Sequence, residues 1–288
     1  MAHSSPDGFT RTIGDMLLDP GGAILACVVT TDHESFHSAL NPIPDIATPM
    51  TGGQLPAAYQ GSFWLTGLAR FGSGPIYACD AEGNVHDNAA GSWRQRPVSP
   101  GKALRAIECL PDGTILTGGT SGEVFRSRDG GVFERLLPEA GSWINAFAGT
   151  DAENFVVAAD DGVLLQWQGG TGRQIDLATD VTLNAAFWDG GSYLVAGAKG
   201  LLLRGSQDAW DELGGSDADL FGIARYGDEI WLAAGPGGVL RLVGDELAQV
   251  RKTFVAHRIR GTDRFAAFAG DNLLFRHDGA AWPGYRFG

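Results

Sequence analysis

Three observations predict an all-β fold for this chain, a seven-bladed β-propeller of four-stranded antiparallel blades. One pattern of β-rich runs recurs along most of the sequence, and glycine marks the same turn in successive copies. No 11-residue window sustains the 3.6-residue apolar spacing of a helix. The turn glycines are Gly83, Gly122, Gly162, Gly200 and Gly238, placed 39, 40, 38 and 38 residues apart. Four short strands per unit of that length is the form of a propeller blade, and closing the units into a ring protects edges that an open array would expose.

The clearest element is the central hairpin. Ile115-Leu116-Thr117-Gly118-Gly119 leads through Gly122 to Val124-Phe125-Arg126, and Tyr193-Leu194-Val195-Ala196-Gly197 leads through Gly200 to Leu202-Leu203-Arg204. Phe155–Ala159 before Gly162 and Ile230–Ala234 before Gly238 repeat it. In the last copy Asn272 stands where the glycine is due, and asparagine is a tolerant residue for a left-handed backbone. An opening run precedes each hairpin: Leu65-Thr66-Gly67-Leu68, Leu104-Arg105-Ala106-Ile107, Ile144-Asn145-Ala146-Phe147, Leu183-Asn184-Ala185-Ala186 and Leu220-Phe221-Gly222-Ile223, with Ala256-His257-Arg258-Ile259 a looser copy. An aromatic follows it at Trp93, Phe133, Trp210 and Trp282. The first unit emerges by laying Leu17–Leu25 on Cys109–Leu116; it is degenerate and leaves through Pro42, Pro44 and Pro49. The blades are expected at roughly 11–52, 60–98, 102–138, 141–178, 181–213, 217–250 and 253–288, in one domain. Either residues 1–10 supply a closing strand, or the seventh blade is complete with Trp282 to Phe287.

Ser127-Arg128-Asp129-Gly130-Gly131-Val132-Phe133 resembles the Asp-box turn of bacterial-neuraminidase-type repeats, Ser-x-Asp-x-Gly followed by an aromatic, and Asp278–Trp282 resembles a degenerate copy. The resemblance implies a turn between third and fourth strands in which Asp and Ser side chains satisfy backbone donors while the aromatic wedges between sheets. It implies no catalysis. The aromatic comes one residue early here, and the other blades keep only fragments of the motif.

The chain has 288 residues, 44% of them apolar, so material for a core is ample. Its 43 glycines are roughly twice the usual ~7%, which signals many tight turns. A net charge of −13 argues against nucleic acid, because nothing would replace the phosphate counterions. Ala23 to Val29, the longest apolar stretch, is far short of the ~20 residues of a membrane helix, so no membrane partner is expected. Met1 to Asp15 lacks a basic start and an apolar region, and Cys27, Cys79 and Cys109 have no CxxC spacing. Buried reduced thiols in a cytoplasmic protein, without cofactor or metal, is the resulting expectation. Charge is uneven: residues 205–250 carry net −7 and residues 251–288 net +4.

No phosphate-binding glycine motif, nucleophile elbow or histidine–acid cluster is present. Asp15, Glu108 and Asp219 are the only acids in or beside the opening strands, and none of the five tyrosines lies there. Arg126, Arg204, Arg241 and Arg276 fall in third strands and read as solvated blade surface. What remains is the mouth of the ring. One column across the opening strands reads Ile13, Thr66, Arg105, Asn145, Asn184, Phe221 and His257, with Trp64, Trp143 and Asp219 two positions ahead. Aromatics and Arg are favoured anchors in concave sites. The expected binding residues are therefore Trp64, Arg105, Trp143, Asn145, Asn184, Phe221 and His257; the competing role for the two tryptophans is as wedges between blades. The predicted function is non-catalytic recognition of a protein or peptide, as in a biosynthetic or assembly accessory factor or a toxin-neutralising protein. A glycan hydrolase or lyase using Asp15, Glu108, Asp219 and His257 is the alternative, and a carbohydrate-binding lectin the third.

Overall fold

In the computed structural model, which describes residues 8–32, 34–47, 55–137 and 141–287, seven four-stranded antiparallel sheets follow one another along the chain, each with its strands in sequence order. The first strands are Thr10–Leu18, Leu65–Ala69, Leu104–Cys109, Ile144–Asp151, Leu183–Trp188, Gly222–Tyr226 and Arg258–Gly261. Each touches the first strand of the next sheet, and Arg258–Gly261 touches Thr10–Leu18, so the sheets form a closed seven-bladed propeller with the first strands innermost.

The core is a ring of seven apolar layers, one at each contact between neighbouring blades. Strand alternation makes this possible. In Tyr193–Gly197, Tyr193 and Val195 pack towards the fourth blade while Leu194 and Ala196 pack towards the sixth. Strands buried on both faces explain why the hairpins read as continuous apolar runs.

The turn glycines have two reasons to be glycine. Gly83, Gly122, Gly162, Gly200 and Gly238 all have positive φ, between 68° and 90°. A Cβ on Gly200 would also lie 1.6 Å from the Ser216 carbonyl oxygen, and one on Gly162 would lie 2.0 Å from that of Thr179. In the last blade the left-handed residue is Asp271, with φ 38°, rather than Asn272, whose amide instead donates to the Phe287 carbonyl at 2.9 Å.

The first blade is fully four-stranded, and its outer strand, Tyr59–Gly61, lies beyond the limit of 52 read from sequence. Three residues paired to Ser38–Leu40 leave too little text to recognise. A network of half-buried aromatics on two buried polar side chains makes the assignment physical. The Tyr59 hydroxyl meets His86 Nδ1 at 2.9 Å, His86 Nε2 meets Asp80 at 2.9 Å, and Trp93 stacks on the Tyr59 ring at 4.3 Å.

Among the described residues the ring closes without strand exchange: the seventh blade is completed by its own Gly284–Arg286, and residues 1–7 lie outside the described residues. Ile13 N–H donates to the Asp271 carbonyl at 2.6 Å. Arg276 Nη1 donates to the Gly22 carbonyl at 2.8 Å, and an apolar layer joins Ile13, Met16 and Ile43 to Ala267, Leu274 and Phe287. Arg276 and Arg126 are therefore not solvated surface. Both are buried, with the guanidinium reaching the first turn of the next blade, as Arg126 does to the Ala152 carbonyl at 2.6 Å. A long stem between two sheets delivers a charged head to carbonyls that the turn leaves unpaired.

Asp129 accepts the Gly131 N–H at 2.7 Å, Asp278 accepts the N–H groups of Ala280 and Ala281, and Phe133 and Trp282 pack between blades, whereas Ser127 Oγ lies 3.4 Å from Asp129 Oδ1 and not on a backbone donor. All three cysteines are free and buried, and burial raises each thiol, Cys79 to about 12.

Candidate functional site

Every inner strand begins at the same mouth of a central channel. Five of them carry one extra residue near that end. Gly14, Thr66, Arg105, Asn145 and Asn184 each stand unpaired between residues that pair regularly with the second strand. Phe221 and His257 repeat the arrangement, donating N–H to the carbonyls of Ala233 and Ala269, which pair with the residues that follow. A bulge turns its side chain out of the ladder. The column read from sequence is this ring of bulges, with one correction: in the first blade it holds Gly14, and Ile13 is packed in the core.

Five of the seven positions stitch their blade to the next one. Thr66 Oγ1 donates to the Leu104 carbonyl at 2.8 Å, and the amides of Asn145 and Asn184 donate to the carbonyls of Leu183 and Leu220 at 3.0 Å. Arg105 lies over the Trp143 ring with its guanidinium carbon 4.8 Å from the ring centre. Phe221 meets His257 edge-on at 5.1 Å, and Arg258, beside His257, donates to the Gly14 carbonyl at 3.2 Å. Much of the column is thus consumed in holding the ring.

The cavity beneath this mouth, about 170 Å³, is lined by Thr66, Arg105, Asn145, Asn184 and Phe221 of the expected column, together with Asp15, Glu108, Arg258 and Arg260. His257 is not among its lining residues. Burial, reinforced by Arg258 and opposed by Asp271, holds the His257 imidazole below its ordinary range. Trp64 and Trp143 are 42% and 48% exposed and are not wedges between blades. Each is the residue before an inner strand, and its carbonyl is fixed by an N–H of its own blade, Ala81 for Trp64 and Asp160 for Trp143. The mouth therefore presents two half-exposed indoles, one capped by a guanidinium, on stiff supports.

At the waist, Asp15 accepts Arg260 Nη2 at 3.0 Å on both oxygens, plus the N–H groups of Met16 and Leu68. Burial raises Glu108 to about 7 although Arg260 and the Cys109 N–H favour its charged form. Asp219 does not join them; it accepts the Lys199 N–H at 2.7 Å and steadies that residue's positive φ. The waist opens into a wider cavity of about 500 Å³ at the far mouth, more apolar, where Phe71 is 51% exposed. Among the described residues no three His, Cys, Asp or Glu side chains are grouped as a metal site would need, and no helix is long and apolar enough to cross a membrane.

No protein-family model matches the chain. Over 183 residues, 60% of its length, it is 25% identical to immune protein Tsi7 of Pseudomonas aeruginosa, and the match spans 59% of that protein. Among solved structures it is similar to one described as YCF48 bound to D1 peptide, with a TM-score of 0.65 and 18% identity over 96% of this chain and 94% of the other. That likeness is one of propeller fold.

Proposed function

We propose that the protein is a non-catalytic binding protein whose tryptophan-bearing mouth docks a protein partner, as an immunity protein does when it neutralises a toxin. The observation that carries the reading is the pair of half-exposed indoles with Arg105 stacked on one of them, held on the ends of inner strands. Trp and Arg are the residues in which interface energy concentrates. The similarity to an immune protein, and to a propeller seen with a peptide, supports a protein ligand. The glycan-hydrolase alternative is poorly served by this geometry. Paired-carboxylate chemistry needs two carboxyl groups facing one substrate, whereas Asp15 is committed to Arg260 and Asp219 to the Lys199 backbone. Three buried free thiols fit a reducing cytoplasm.

The test is quantitative affinity capture from the source lysate with the wild type and a Trp64→Ser/Trp143→Ser variant. Both side chains are half exposed, so the variant keeps its fold. A specific protein should be enriched on the wild type and fall by at least about thirtyfold on the variant, the loss of one ~2 kcal/mol anchor. Equal capture by both proteins refutes docking at this mouth.

A further inference from the structure

The cavity under the mouth carries more positive charge than it balances. Three guanidiniums (Arg105, Arg258 and Arg260) line it against two carboxylates, Asp15 and Glu108. Asp15 is committed to Arg260. Glu108 accepts the Cys109 N–H and forms no ion pair among the described residues. Arg258 uses Nε on the Gly14 carbonyl and Nη1 on its neighbour's carbonyl, and among the described residues its Nη2 has no acceptor. Among the described residues Arg105 has no hydrogen-bond acceptor; its planar face is held by Trp143, which leaves the edge that carries its donors open. Arg258, half-buried among the inner strands, is costly unless an anion completes it, and the exposed Arg105 stands beside it on the same cavity.

Resting on the docking reading above, we propose that this cavity is a receptor for one carboxylate of the partner, clamped by Arg105 and Arg258. A guanidinium fork matches a carboxylate in two parallel hydrogen bonds. Size narrows the choice: about 170 Å³ is close to the ~150 Å³ that holds a single benzene, so one side chain or one chain end enters and a nucleotide does not. Burial disfavours the charged form of Arg258, Asp15 opposes it, and Arg260 and Arg105 add to it, so an incoming anion would relieve the net strain on the charge. The carboxylate has two sources, an Asp or Glu side chain or a C-terminus.

Calorimetric titration with short peptides separates them. The probes are N-acetyl-Gly-Gly-Glu-Gly-Gly-amide, its Gln counterpart, and N-acetyl-pentaglycine with either a free or an amidated C-terminus, each at up to about 20 mM, where a Kd in the millimolar range is read. Preference of about tenfold for the Glu peptide over the Gln peptide identifies a side chain, and the same preference for the free over the amidated pentaglycine identifies a chain end. The preferred peptide should bind Arg105→Gln about tenfold more weakly, with the unfolding midpoint lowered by no more than about 2 °C, the loss of one exposed cation–π contact. Arg258→Gln should weaken it too, but Arg258 also clips the ring, so the exposed Arg105 decides. The proposal is overturned if neither carboxylate peptide outbinds its neutral control, or if Arg105→Gln binds as well as the wild type. Partner capture that survives Arg105→Gln but not Trp64→Ser/Trp143→Ser removes the carboxylate receptor and keeps the docking mouth. Capture that survives both removes the docking mouth itself.

Discussion

Replacing Asp15 by Ala tests how the ring is held at its waist. The carboxylate is 5% exposed and joins three blades: its own, the second through the Leu68 N–H at 2.9 Å, and the seventh through Arg260 at 3.0 Å. Removal strands the N–H of the buried Leu68, a desolvation cost of about 1–3 kcal/mol. Breaking a fully buried ion pair costs about 3–5 kcal/mol, but the Arg260 side chain is 35% exposed, so about 1 kcal/mol is appropriate here. The sum is about 3 kcal/mol. Unfolding entropy of ~2.1 cal/mol/K per residue gives about 0.6 kcal/mol/K for 288 residues, hence a fall in Tm of about 5 °C by scanning calorimetry. Asp15→Asn keeps one acceptor oxygen and should lose about half as much. A loss below about 1 kcal/mol for Asp15→Ala would refute the reasoning, since it would mean that the waist contacts cancel against their own desolvation.

Gly200→Ala should cost about 2–4 kcal/mol in denaturant unfolding, because φ is 72° and the new Cβ overlaps the Ser216 carbonyl, whereas Gly91→Ala, with φ 82° but open space, should cost only about 1 kcal/mol. Equal losses would show that the close approach is immaterial. Burial alone would push Glu123 up, yet hydrogen bonds from Arg135, Ser121, Ser99 and Lys102 outweigh it and hold the carboxyl at about 2. Its stabilising contribution is full above the ordinary value of 4.5 and is lost as pH falls towards 2, so Glu123→Gln should flatten that limb of the stability curve by about 2–3 kcal/mol. Glu108 has the opposite sign. With its folded value raised to about 7, it imposes no penalty below 4.5 and a growing one as pH rises towards 7, so Glu108→Gln should gain about 2 kcal/mol at pH about 8 and almost nothing at pH about 4. A gain that does not depend on pH would contradict the assignment.

The strand text and glycine register were legible because both are local. A positive φ and a two-residue alternation leave their mark within ten residues of sequence. Features that depend on the next blade were not. The offset from Ile13 to Gly14 arises from a bulge visible only in the pairing, and the shift from Asn272 to Asp271 from a turn of two residues where the second to sixth blades have five. Arg126 and Arg276 were read as solvated since their acceptors, the carbonyls of Ala152 and Gly22, belong to other blades. The same distance hid the Tyr59–His86–Asp80 network; a histidine two residues after a strand-start asparagine carries no signal by itself. For the site, the column of side chains was found by counting, but its division into stitching residues and exposed residues was not. The exposed tryptophans stand two positions ahead of stitching residues at the same strand entries, and only neighbouring carbonyls show which side chains are consumed.

The most direct measurement of the central claim is hydrogen–deuterium exchange of the protein with and without its captured partner. Binding at the tryptophan-bearing mouth should slow exchange around Trp64–Thr66, Trp143–Asn145 and the hairpin turns at Gly83, Gly162 and Gly200, and leave the far mouth around Phe71 and Trp188 unchanged. Slowing confined to the Phe71 and Trp188 side, or to the outer strands, would contradict the account.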